Sequence, residues 1–149
     1  MLSDKKPVSP SWLEILWIDD YNYEAIINMV LYTFRPDEVQ FDESNKLPNA
    51  EVYLKDAVDA SLSENMSAGW SKYAKGVSND WTLDYDEFAI VIKGIFTIYS
   101  EGKATTLKAG DFCFIPRGTS VTYRAEEASL VMYVTYPHWK EAAKKAGHL

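Results

Sequence analysis

With 149 residues, 47% hydrophobic and 25% charged, the chain has an ordinary globular composition, which excludes a disordered polypeptide and allows one domain with a real core. Acidic residues outnumber basic ones 22 to 15, for a formal charge of −7, and no basic cluster exceeds the mixed tail Lys140-Glu-Ala-Ala-Lys144-Lys145. That pattern argues against nucleic-acid binding. The longest apolar stretch, 25–31, is interrupted by Asn28 and is far too short to span a bilayer, so no membrane insertion is expected. A single cysteine, Cys113, excludes an intrachain disulfide, fits a reducing compartment, and sits in the apolar run Phe112–Ile115 as a small core residue.

Residues 1–11 read as a flexible lead. Pro7 and Pro10, rather than an apolar segment, follow the first charges, so no signal peptide is expected and the protein is placed in the cytoplasm. Ile26, Ile27, Val30, Leu31 and Phe34 recur at helical spacing, and the reading is a helix over 22–32, although the β-branched and aromatic residues from Met29 to Phe34 also suit a strand. Polar residues with Pro36 and Pro48 make 37–49 a surface connection. From Ala50 the pattern changes to short strands between turns. Phe88–Lys93, Ile95–Ser100 and Ala104–Leu107 form a meander, with Gly102 supplying the positive φ of a tight hairpin. Phe112–Ile115, Ser120–Arg124 and Leu130–Tyr136 continue the series, and 138–147 is a short helix. Strands at this even spacing predict an all-β sandwich or barrel.

Two blocks sharpen that expectation. The first runs Trp81-Thr-Leu-Asp-Tyr-Asp-Glu87, then six residues, then Gly94; the second is Gly110-Asp-Phe-Cys-Phe-Ile-Pro116-Arg-Gly118. They resemble the two blocks of metal-binding cupins, G-x5-H-x-H-x3,4-E-x6-G and G-x5-P-x-G-x2-H-x3-N, with Glu87, Gly94, Gly110, Pro116 and Gly118 in register. The resemblance implies a double-stranded β-helix, or jelly-roll, barrel with short peripheral helices at both ends. Its domain would span 50–140, after an extension (1–49) packed on the barrel or at a dimer interface and before a tail (141–149). The two histidines of the first block stand here as Trp81 and Leu83, or Asp80 and Thr82 with a longer spacer, and that of the second as Val121. One carboxylate of four ligands survives, too few for a transition metal, so no metal is expected in the barrel.

If Val121 occupies a ligand slot, its face looks into the barrel and brings Tyr123 with it; Val131, Tyr133 and Thr135 share one face of the last strand. Glu87, Tyr123 and Tyr133 are the candidate catalytic residues, and Trp81, Leu83, Tyr85, Asp86 and Val121 the candidate ligand contacts. Such a pocket suits a small polar organic molecule. The alternative is a filled core in which the tyrosines and Glu87 satisfy one another. Asp84, Asp86 and Glu87 either hold a nucleotide-associated Mg²⁺ or form a solvated acidic turn. His138 reads as an edge or helix-start residue, and His148 as functionless.

The wording of the blocks goes further. Met66-Ser-Ala-Gly69, Trp81-Thr-Leu-Asp-Tyr-Asp-Glu87, Ile115-Pro-Arg-Gly118 and Tyr133-Val-Thr-Tyr-Pro137-His-Trp139 resemble the cupin domain of the ethanolamine utilization protein EutQ family, over roughly residues 50–140. The resemblance implies a histidine-poor, usually dimeric, cytoplasmic bacterial protein linked to ethanolamine breakdown in microcompartments. It also implies acetate kinase activity, with Mg-ATP as cosubstrate and no tightly bound cofactor. The chain departs from the family pattern in its short aromatic-rich N-terminal stretch, at Lys72, and at Val91-Ile-Lys93-Gly94. Two classes of function remain open: a metal-independent small-molecule enzyme (a kinase, or a lyase or isomerase using Glu87 and the tyrosines), and a non-catalytic binding or assembly module.

Overall fold

Side chains of the last strand alternate between two environments: Ser129, Val131, Tyr133 and Thr135 are buried, while Leu130, Met132 and Val134 are half-covered on the other face. This period of two recurs in most of the strands and sorts the chain into an inner and an outer surface. The computed structural model describes residues 31–149, and their compact unit is Phe34–Leu149. The helix expected over 22–32 falls, but for its last two residues, outside the described residues, as does most of the N-terminal extension.

Nine strands follow a short 3-10 turn at Glu43–Asn45. They are β1 (Val52–Val58), β2 (Ser67–Tyr73), β3 (Ser78–Thr82), β4 (Asp86–Lys93), β5 (Ile95–Ser100), β6 (Lys103–Lys108), β7 (Phe112–Ile115), β8 (Ser120–Ala125) and β9 (Ser129–Tyr136). One helix, α1 (Trp139–Ala146), closes the chain, with Glu141 in its first turn and Lys144 and Lys145 in its last, as the helix dipole favours. All pairings are antiparallel, in a five-stranded sheet ordered β1-β2-β9-β4-β7 and a four-stranded sheet ordered β3-β8-β5-β6. Neighbours far apart in sequence, such as β2 beside β9, give the jelly-roll order that the two blocks imply.

The expected strands from Ile95 onward match the observed ones to within a residue at either end. The hairpin between β5 and β6 pairs Ser100 with Lys103 and turns through Glu101 and Gly102, both at positive φ. That is the two-residue turn whose twist matches the flanking strands. Glu87, Ala89 and Val91 of β4 are buried, and Tyr123 of β8 lies between Asn79 and Ile98 on neighbouring strands. The interior is strongly aromatic. Tyr73 meets Phe96 edge-on at 4.9 Å, and Phe96 stacks on Tyr123 at 5.8 Å.

Candidate functional site

Between the sheets lies a partly enclosed cavity of about 50 Å³. Its walls include Glu87, Tyr73, Tyr85, Tyr123, Tyr133 and Trp81, together with the half-buried Leu47, Leu54 and Asn79. Among the described residues Glu87 is the only carboxylate on these walls, and no Lys, Arg or His joins it. Its inward position follows from strand parity with Ala89 and Val91.

Tyr123 donates to Glu87 Oε1 at 2.8 Å. Burial pushes the Glu87 carboxyl up to about 7, against a smaller lowering from the Tyr123 hydrogen bond. The phenols of Tyr73, Tyr85, Tyr123 and Tyr133 are all raised by burial and, in varying degree, by nearby carboxylate charge, so each stays neutral at physiological pH. Burial also raises the Cys113 thiol to about 11, which leaves it protonated and a poor nucleophile.

One buried donor on the cavity wall is unfilled. Trp81 Nε1 is buried with no hydrogen-bond partner among the described residues. The Tyr85 hydroxyl on the same wall lies beside this indole N–H, which partly offsets the effect of burial on the phenol. Native interiors rarely leave such a buried donor unpaired without a water or ligand to take it.

The remaining expected site residues are placed differently. Leu83 and Val121 are fully buried in the core and do not line the cavity. Leu83 instead ties down the second block through its backbone, accepting from Gly118 N at 2.7 Å and donating to Thr119 O at 3.0 Å. Asp86 accepts the Arg117 backbone N–H at 2.8 Å, and Asp84 pairs with His148 at 2.7 Å. The three carboxylates of the first block are thus committed to separate partners. Among the described residues no three His, Cys, Asp or Glu side chains converge on a metal position. His138 immediately precedes α1, and its Nε2 lies 2.7 Å from the Ser63 carbonyl oxygen.

Tyr133 lines the cavity, but its hydroxyl turns away from Glu87 and donates to Asp56 Oδ1 at 2.6 Å. Trp139 Nε1 donates to the same oxygen at 2.7 Å, and Lys140 Nζ pairs with Oδ2 at 2.5 Å. Asp56 therefore fastens the start of α1 to the barrel and sets Trp139 as a cavity wall, edge-on to Trp81 at 6.2 Å. This reach depends on Gly69, which sits in register between Asp56 and Tyr133; a Cβ there would collide with the Tyr133 phenol and the Lys55 carbonyl. Gly69→Ala is expected to destabilise the barrel by roughly 2–5 kcal/mol, combining overpacking with a strained buried hydrogen bond. Urea unfolding checks it, and a loss below ~0.5 kcal/mol would contradict this role.

Asp56, Ser71, Tyr73, Asn79 and Trp139 were not singled out from sequence. Asp56 carried a signal: it alternates with Val52 and Leu54, an acidic residue at an inward strand position.

Comparison with known proteins bears on the same segment. A family model described as ethanolamine utilisation protein EutQ matches residues 22–141. A curated relative named acetate kinase EutQ, from Clostridioides difficile (strain 630), is 33% identical over 103 residues, covering 66% of this chain and 65% of that relative. A protein of the same name from Salmonella typhimurium LT2 is 33% identical over 90 residues, covering 60% of this chain and 39% of that protein. The matches thus span less than two thirds of either relative. The solved structure of the Clostridium difficile EutQ protein superposes with a TM-score of 0.62 at 33% identity, covering 66% of this chain and 81% of that one. A cupin superfamily protein from Desulfitobacterium hafniense shares the fold alone, at 14% identity and a TM-score of 0.53.

Proposed function

The chain belongs to the EutQ family of ethanolamine utilisation proteins, and from that membership we propose that it is a phosphotransferase of the acetate kinase type. It takes a short carboxylate in the barrel cavity and a phosphoryl group from Mg-ATP. The observation that carries this reading is the buried Glu87–Tyr123 pair in a cavity with one unfilled buried donor, Trp81 Nε1, beside the Tyr85 hydroxyl.

Size favours a very small ligand. A buried water needs roughly 10–15 Å³ of such space, so about 50 Å³ suits a molecule of a few heavy atoms. Pockets for larger organic ligands run to roughly 300–1,000 Å³, so the nucleotide stays outside and reaches in from the open side. In the reaction a carboxylate oxygen attacks the γ-phosphorus, the bond to the β,γ-bridging oxygen breaks, and that oxygen leaves with ADP. No proton is gained or lost in this exchange. Glu87 is therefore not needed as a base, and the cavity contributes by positioning and drying the nucleophile. Tyr123 holds Glu87, Trp81 and Tyr85 donate to the substrate oxygen, and Tyr133, through Asp56, keeps Trp139 in the wall.

One observation favours a second reading, a binding module without turnover. Phosphoryl transfer draws on cations, and no Lys or Arg among the described residues lines the cavity.

Incubation with acetate and Mg-ATP, with acetyl phosphate trapped by hydroxylamine, separates the two. The enzyme reading expects acetyl phosphate and ADP in equal amounts, and a roughly 5–30-fold lower kcat/KM in Tyr123→Phe, the value of one or two kcal/mol of lost hydrogen bonding. Acetate binding without acetyl phosphate would leave the module.

A further inference from the structure

Among the described residues every wall of the cavity is uncharged except Glu87, so a carboxylate entering it meets a second carboxylate and no cation from them. We infer that the cavity takes its carboxylate ligand together with one proton, which Glu87 and the ligand then share as a carboxyl pair. The inference rests on the reading that the cavity holds a short carboxylate, and it specifies the form in which that ligand is bound.

Two unfilled hydrogen-bonding capacities define the geometry. Glu87 Oε1 is occupied by Tyr123, while the second carboxyl oxygen takes no hydrogen bond from a described residue. Trp81 Nε1 is a buried donor without an acceptor among the described residues, and the Tyr85 hydroxyl lies beside it on the same wall. A carboxyl group fits this set when one of its oxygens accepts from Trp81 and Tyr85 and the other is joined to Glu87 through a proton. Two bare carboxylates in that position would repel with no compensating charge.

Among the described residues the titratable groups that face Glu87 supply no other charge. They are Tyr73 on β2, Tyr85 before β4, Cys113 on β7, Tyr123 on β8 and Tyr133 on β9, all acids that remain neutral at physiological pH. The Asp56–Lys140 ion pair meets the Tyr133 hydroxyl and is engaged there, and Asp84 is paired with His148. Burial already holds the empty-site Glu87 near half-protonation at about pH 7, and an adjacent carboxylate raises its proton affinity further.

Calorimetric titration of the full chain with sodium acetate, in two buffers of unlike ionisation enthalpy, counts the protons. At pH 8, where empty-site Glu87 is mostly ionised, uptake should approach one proton per acetate. At pH 5.5, where Glu87 already carries the proton, uptake should fall toward zero. Affinity should weaken roughly tenfold per pH unit above 7. In Glu87→Gln the amide is a permanent donor, so uptake should vanish and affinity should stay flat from pH 6 to 9. Trp81→Phe should weaken binding at every pH with the proton count unchanged. Acetate bound at pH 8 without uptake, or undiminished uptake in Glu87→Gln, overturns the shared proton while leaving the carboxylate site standing. No acetate binding at either pH overturns the site as well.

Discussion

Replacing Glu87 with leucine is expected to lower kcat/KM for acetate by roughly 10²–10⁴-fold while the barrel stays folded. The substitution removes a charge-assisted hydrogen bond worth ~1.5–3 kcal/mol and leaves a substrate oxygen unpaired in an apolar pocket, a further ~1–3 kcal/mol. Leucine nearly conserves the volume. The Tyr123 hydroxyl loses its acceptor, but the desolvation cost of the buried carboxyl disappears with it, so net stability near pH 7 should change little. Turnover and circular dichroism on the same preparation check both halves. Unchanged turnover in a folded Glu87→Leu protein would remove Glu87 from the site.

The second large effect is on stability. Folded Glu87 holds its proton up to about pH 7, whereas the exposed side chain of the unfolded chain releases it near 4.5. The folded state therefore binds more protons over that interval. The stability contributed by this group is complete below pH 4.5, declines as pH rises, and is lost once pH passes 7, a change of about 3 kcal/mol. Glu87→Gln cannot titrate. Its stability relative to the wild type should rise by up to ~3 kcal/mol on going from pH 4.5 to pH 8, and the other carboxylates cancel because both proteins carry them. Urea midpoints across that range provide the measurement, and parallel curves for the two proteins would contradict a buried, proton-holding Glu87. A charge kept in the barrel at such a cost fits a functional site better than a structural one.

Much of this was legible because it is local. The spacing of Glu87, Gly94, Gly110, Pro116 and Gly118 located both blocks of the barrel and with them Glu87, while strand alternation carried Tyr123 inward beside Val121 and grouped Tyr133 with Val131 and Thr135. What the sequence could not supply is long-range. Inward parity says that Tyr133 enters the barrel, but its hydroxyl passes over Gly69 to Asp56, 77 residues away in the chain. The strands carrying Asp56, Gly69, Ser71 and Tyr73 precede both blocks and join the site only because β2 pairs with β9. Leu83 and Val121 share the inward face without reaching the cavity, since aliphatic side chains in the slots of metal ligands pack into the core instead. Asp86 is drawn to the Arg117 backbone by the fold of the second block, a contact that no periodicity reports.

A crystal of the protein soaked in sodium acetate at pH 6 tests the central claim most directly. The account predicts one acetate in the barrel, with one oxygen within about 2.5–2.8 Å of the free Glu87 carboxyl oxygen and the other within hydrogen-bonding distance of Trp81 Nε1 and the Tyr85 hydroxyl. A cavity closed by its own side chains, or one holding only water while acetate binds in solution, would contradict it.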